Sequence, residues 1–123
     1  MNMQTHKNQP FFKRLQFALA GLREGVRAEH SLRFQAAACG GVLVVLCIFR
    51  PEPIWWAVTL LASALVIMAE LFNTAIEHLV DHLHPEIHPR IGIVKDIAAG
   101  AVLTAVLGAL GIAAAFMVHL LTR

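Results

Sequence analysis

Charge is scarce in this sequence. Only 15% of its 123 residues are Asp, Glu, Lys or Arg, while 58% are hydrophobic. An ordinary soluble domain carries about 25% charged residues, so the composition excludes that class and predicts an integral membrane protein. The first 33 residues are polar and basic with only scattered apolar positions. We therefore expect no cleaved signal peptide.

Cysteine is also rare, and its placement excludes an internal disulfide. Cys39 and Cys47 lie eight residues apart in one apolar stretch. On a helix that spacing separates them by about 12 Å along the axis, which is too far for a mutual bond. No second pair of soft ligands accompanies them, so we interpret both as small packing residues rather than as a metal or redox site.

Three apolar stretches carry the membrane signal, at residues 34–49, 54–69 with an extension toward 80, and 97–121. A hydrocarbon core of about 30 Å needs roughly 20 helical residues. The first stretch is shorter than that, so its helix must begin before Phe34 or lie in a thinned region. The sequence thus predicts an all-α membrane protein with three transmembrane helices.

The basic residues predict the orientation of the chain in its membrane. Six of the ten Lys and Arg residues precede the first span. The positive-inside rule then places the N-terminus in the cytoplasm and the C-terminus outside. This orientation brings the acidic residues that end the second span to the cytoplasmic side, where a soluble nucleotide is found.

The N-terminal region divides into two parts. Residues 1–10 are polar and end in Pro10, which predicts a flexible tail before a single membrane domain at 11–123. From Phe11 onward, apolar residues recur every three or four positions with basic residues on the other faces, as in an amphipathic helix on the anionic inner leaflet. A plain anchor for the first span is the alternative. An acid at this surface, Glu29, would be able to hold a cation.

Acidic side chains within apolar surroundings indicate that the second span carries the functional residues. At about 100° per residue, Glu70, Asn73, Glu77 and Asp81 fall within an arc of roughly 80° on one helix face. We call these four residues the acidic stripe. Carboxylates near membrane depth are costly to maintain, so they indicate function. The structural alternative is that they join helices through hydrogen bonds.

The polar residues fit the needs of phosphoryl transfer. Glu29 and Glu77 offer hard oxygen ligands for Mg²⁺, Lys95 offers a point charge for phosphate, and Glu70 lies about two turns deeper, toward a lipid hydroxyl. No Walker-type loop occurs, so a nucleotide site would be of another kind. His78 and His82 have a zinc-compatible spacing but no hydrolytic His-Glu-x-x-His pattern. A loop predicted at 82–94 would hold His88 near a phosphate, with Lys95 and Asp96 opening the third span.

Three segments together resemble the small prokaryotic diacylglycerol kinase family in content and order. They are EHSLR at 29–33, ELFNTAIEHLVD at 70–81 and KDIAAGAV at 95–102. The match covers roughly residues 11–123. Phe17 stands where some members have a tyrosine, and Pro10 where an arginine is expected, although Lys13 or Arg14 would be able to substitute. Contacts of these residues with ATP are left open.

The resemblance implies a homotrimer with active sites shared between protomers, and a requirement for ATP and Mg²⁺. It implies that Glu70 is the general base and that Asn73 supports its geometry. Glu29 and Glu77 would bind the metal and ATP. Lys95, Asp96, Glu86 and His88 would contact the nucleotide.

The function predicted on this basis is an ATP-dependent lipid kinase that phosphorylates diacylglycerol at the cytoplasmic face, with no nucleic-acid partner. The alternative acceptor is undecaprenol. A different class, a small channel or a membrane assembly factor, would use the acidic stripe to conduct ions or to bind a partner.

Overall fold

The computed structural model describes residues 8–123 and consists of four α-helices. They are α1 (Phe11–Ala28), α2 (His30–Phe49), α3 (Pro53–Leu83) and α4 (Pro89–Thr122). No strand occurs in this part of the chain. The predicted all-α class is therefore confirmed, whereas most of the predicted tail at 1–10 lies outside the described residues.

Helices α2, α3 and α4 are each long and apolar enough to cross a membrane. Helix α2 has 20 residues and begins at His30, so the first span does start before Phe34 and reaches about 30 Å. Helices α3 and α4 have 31 and 34 residues, about 46 and 51 Å, which exceeds the hydrocarbon thickness. Their surplus length carries the acidic stripe and Lys95 toward the aqueous boundary.

The α3–α4 connection is shorter than the predicted loop at 82–94. Helix α4 already begins at Pro89, where the Nδ1 of His88 accepts a hydrogen bond from the Arg90 amide at 3.1 Å. Proline is well tolerated in the first helical turn because its missing N–H would be unpaired there anyway. Pro89 therefore starts the helix, and Lys95 lies inside α4 rather than at its opening.

The central element is α3, which packs most extensively against α4 and less against α2 and α1. Few side chains are buried between the helices, the apolar ones being Leu32, Leu46, Ala62, Val66 and Ala98. Many large apolar side chains on every helix remain exposed. Such surfaces are what helices surrounded by lipid or by further helices present.

Helix α1 joins α2 through a single residue. Glu29 has an extended backbone, with φ −114° and ψ 120°, which separates the two helices. Gly25 lies buried one turn earlier, and a Cβ placed on it would meet the side chains of Leu71 and Leu32 at 2.9 and 3.0 Å. A side chain at position 25 would therefore require these leucines to shift.

Candidate active site

Glu70 is the buried carboxylate of the structure. It lies in α3 with 5% of its surface exposed. The hydroxyl of Ser31, in the first turn of α2, donates a hydrogen bond to its Oε2 at 3.1 Å. A buried carboxylate is costly unless it is hydrogen-bonded, and this bond across two helices offsets part of that cost.

The next two residues of the acidic stripe are coupled. Asn73 Nδ2 donates to Glu77 Oε1 at 3.5 Å, a long bond that nonetheless orients the amide. Asn73 Oδ1 is then buried without a hydrogen-bond partner among residues 8–123. Buried acceptors are seldom left unpaired in proteins. This atom lies about one helical turn from Glu70.

Glu29 contributes a second carboxylate from the α1–α2 junction. It occupies the N-cap position of α2, yet its side chain makes no capping hydrogen bond. Its Oε1 lies 3.6 Å from Nε2 of His78 on α3 instead. Because His78 directly follows Glu77, the carboxylate of Glu29 reaches the same section of α3 as Glu77.

Lys95 meets the C-terminal end of the stripe. Its Nζ lies 2.5 Å from Oδ1 of Asp81, which joins α3 to α4. The two side chains remain 36% and 61% exposed. An ion pair this open to solvent adds little stability, so Lys95 is held near the stripe while staying accessible to an anion.

Three of the predicted site residues lie apart from this arrangement. Glu86 and Asp96 are exposed and make no hydrogen bond or ion pair within residues 8–123. His88 caps α4 and its ring packs edge-on against that of His84, with centroids 5.8 Å apart. Their contacts with a nucleotide stay predictions.

The residues present fit a magnesium ion better than zinc. No group of three His, Cys, Asp or Glu residues converges in the part of the chain that the structure describes. A closed zinc site needs four such ligands. Magnesium instead keeps several waters and takes one or two carboxylates plus substrate phosphates, which suits Glu29 and Glu77. His78, considered above as a zinc ligand, faces Glu29 instead.

An apolar groove of about 360 Å³ runs between α2, α3 and α4. Gln35 and Val66 line it, and each lies one helical turn from a member of the Ser31–Glu70 pair. Its farther walls include Leu46, Thr59 and Phe116. One end of the groove therefore lies about one helical turn from the buried carboxylate, which is not itself among the lining residues.

The role of Ser31 and the pairing of Asp81 with Lys95 were not predicted from the sequence. Ser31 lies in the EHSLR segment but carries no charge, and nothing in its spacing indicated a bond to α3. Asp81 was recognised as part of the acidic stripe, but its pairing with Lys95 was not. The sequence contained a signal for the pairing of Asp81 with Lys95, because Lys95 is the first basic residue of α4 after Arg90.

Comparisons with known proteins agree with one another. The family model for prokaryotic diacylglycerol kinase matches residues 16–117. An undecaprenol kinase from Bacillus subtilis (strain 168) is 36% identical over 104 residues, covering 83% of this chain and 85% of the relative. A diacylglycerol kinase from Synechocystis sp. is 34% identical over 94 residues, covering 76% of this chain and 54% of the relative.

Proposed function

Because the chain belongs to the prokaryotic diacylglycerol kinase family, we propose that it transfers the γ-phosphoryl group of ATP to the hydroxyl of a membrane lipid. The family and the three long apolar helices make it a membrane lipid kinase. ATP as donor, the acceptor lipid and the residue roles are the parts that we propose.

The observation that carries the proposal is the buried carboxylate of Glu70 beside the apolar groove. Phosphoryl transfer to an alcohol is helped by a base within hydrogen-bond reach of the hydroxyl. Glu70 takes the hydroxyl proton as the lipid oxygen bonds to the γ-phosphorus. The bond from that phosphorus to the bridging oxygen of ADP breaks, and ADP leaves with the bonding electron pair.

The polar residues nearer the aqueous boundary bind the donor. Glu29 and Glu77 hold Mg²⁺, which when bound neutralises charge on the polyphosphate. Lys95 contacts a phosphate as a point charge. Asn73 Oδ1, a buried acceptor with no hydrogen-bond partner among the described residues, orients the lipid hydroxyl toward Glu70.

Two acceptors are candidates. Diacylglycerol is the acceptor that the resemblance to the family first suggests, and it would yield phosphatidic acid. Undecaprenol is favoured by a specific observation: the relative named undecaprenol kinase is covered over 85% of its length. The relative named diacylglycerol kinase is covered over about half, 54%.

The reaction takes place at the cytoplasmic face of a bacterial inner membrane in this proposal. The basic N-terminal region supports a cytoplasmic N-terminus by the positive-inside rule. A homotrimer with shared sites accounts for the extensive exposed apolar surface and for the incomplete enclosure of the stripe in one chain.

The test is a phosphorylation assay with the purified protein in lipid bilayers. Radiolabelled ATP and Mg²⁺ are supplied with diacylglycerol, with undecaprenol, or with neither. We expect labelled product with at least one added lipid. Glu70→Gln should lower kcat by about 10²–10⁴-fold, the usual contribution of a general base.

The matched control is Glu52→Gln. Glu52 lies at the opposite end of α3, with its Oε2 3.4 Å from His119 Nε2, and its substitution should leave kcat near the wild-type value. A Glu70→Gln protein that inserts normally and keeps near-full activity would remove the proposed base. No product with any lipid alcohol would favour the channel or assembly factor instead.

A further inference from the structure

We infer that Ser31 is a positioning residue, whose hydroxyl holds the carboxylate of Glu70 in the orientation that accepts the lipid proton. This inference rests on the proposed function, in which Glu70 is the base. It adds a residue from α2 to a catalytic group otherwise supplied by α3.

The two carboxylate oxygens of Glu70 differ in their contacts. Oε2 accepts the hydrogen bond from Ser31 Oγ at 3.1 Å. Oε1 makes no hydrogen bond within residues 8–123. A general base needs one free oxygen aimed at the proton that it removes, and occupation of Oε2 leaves Oε1 for that purpose.

The side chain of glutamate needs such a restraint. Its rotatable bonds allow the carboxyl group to move by more than the distance that proton transfer tolerates. A displacement of about 1 Å in a reacting group can cost about 10²-fold in rate. The Ser31 hydroxyl is the one hydrogen-bond donor to the Glu70 carboxylate in the described part of the chain.

Ser31 is exposed, but the backbone beside it is fixed by packing. Ser31 precedes Leu32, which is almost completely buried. A Cβ on Gly25 of α1 would clash with this leucine and with Leu71 of α3, so three helices meet at this point. The backbone that carries Ser31 therefore keeps its place even when the hydroxyl is removed.

The test compares Ser31→Ala with Ser31→Thr in the bilayer assay. We expect Ser31→Ala to lower kcat by about 10–100-fold. The KM values for ATP and for the lipid should stay near wild type, while the thermal midpoint should fall in Ser31→Ala because the buried carboxylate loses its hydrogen bond. Ser31→Thr restores the hydroxyl and should recover most of kcat. Thr104→Val is the matched control, because its hydroxyl bonds only to the Gly100 carbonyl of its own helix, at 2.8 Å.

A double-mutant cycle with Glu70→Gln shows whether Ser31 acts through Glu70. Once the base is removed, Ser31→Ala should cause no further loss of kcat. A second, additive loss would mean that Ser31 acts independently and would overturn the inference. A threonine variant as slow as the alanine variant would overturn it as well.

A measurement independent of turnover completes the design. In protein with ¹³C-labelled glutamate, the Glu70 carboxyl signal should shift in Ser31→Ala and stay in place in Ser31→Thr. If Ser31→Ala keeps the wild-type kcat while Glu70→Gln is inactive, this inference is overturned and the proposed function stands. A wild-type protein that phosphorylates no lipid alcohol overturns the proposed function and this inference together.

Discussion

At the scale of single residues, Lys95 is positioned by an ion pair and yet stays accessible to an anion. Its ammonium group pairs with Asp81 across the α3–α4 contact, yet the two side chains stay 36% and 61% exposed. An exposed ion pair of this kind adds little to stability. The value of the contact is therefore in the placement of a positive charge beside the acidic stripe.

Lys95→Met tests that placement. We expect the KM for ATP to rise about tenfold or more, because a phosphate contact with a full charge is lost. The thermal midpoint should change little, since the pair is exposed. Arg123→Met removes a cation from the opposite end of α4 and serves as the control in the same steady-state assay. An unchanged KM in Lys95→Met would show that the nucleotide binds elsewhere.

The sequence was informative about residues whose chemistry conflicts with their surroundings. Glu70 and Glu77 stand out because carboxylates are costly among apolar neighbours. Ser31 gives no such signal, because an uncharged hydroxyl is common in membrane helices. Whether it faces α3 depends on the rotation of α2 about its own axis, which only the packed structure determines.

At the scale of elements, the close approach of α1 to α3 depends on Gly25. A side chain there would meet Leu71, the residue directly after Glu70, and Leu32, the residue directly after Ser31. The packing of α1 is thus adjacent to both members of the Ser31–Glu70 hydrogen bond. The apolar periodicity of the sequence predicts a helix at α1 but not this contact.

Gly25→Val should push α1 away from α3 or displace Leu71. We expect a loss of about 1–3 kcal/mol in the free energy of unfolding, as for other overpacked sites. Gly21→Val is the matched control in the same helix, because a Cβ at Gly21 meets nothing within 4 Å. Thermal unfolding of the two variants in detergent would measure the difference. Equal midpoints would contradict tight packing at Gly25.

Helix positions were easier to predict than helix ends. Long apolar runs reveal α2, α3 and α4, because only continuous helices satisfy backbone hydrogen bonds in lipid. The sequence predicts the start of α4 too late, because Pro89 and Gly92 are residues typical of loops. Proline breaks a helix interior but suits a first turn, and the sequence alone does not distinguish these two contexts.

At the scale of the whole molecule, one chain leaves much apolar surface and the groove between α2 and α4 open. Three helices can hardly enclose a water-accessible polar site on their own. We therefore expect further copies of the chain to cover these faces, and the resemblance to the family implies three copies. Native mass spectrometry from lipid nanodiscs should give three times the 13.5 kDa chain mass. Full activity in a species of one chain would contradict the trimer.

The junction at Glu29 has a mechanical consequence. Because one residue connects α1 to α2, its backbone torsions, φ −114° and ψ 120°, set the angle between the two helices. A change in that angle would therefore be taken up at Glu29, whose carboxylate lies 3.6 Å from Nε2 of His78. The orientation of α1 and the position of this carboxylate are thus linked through a single residue.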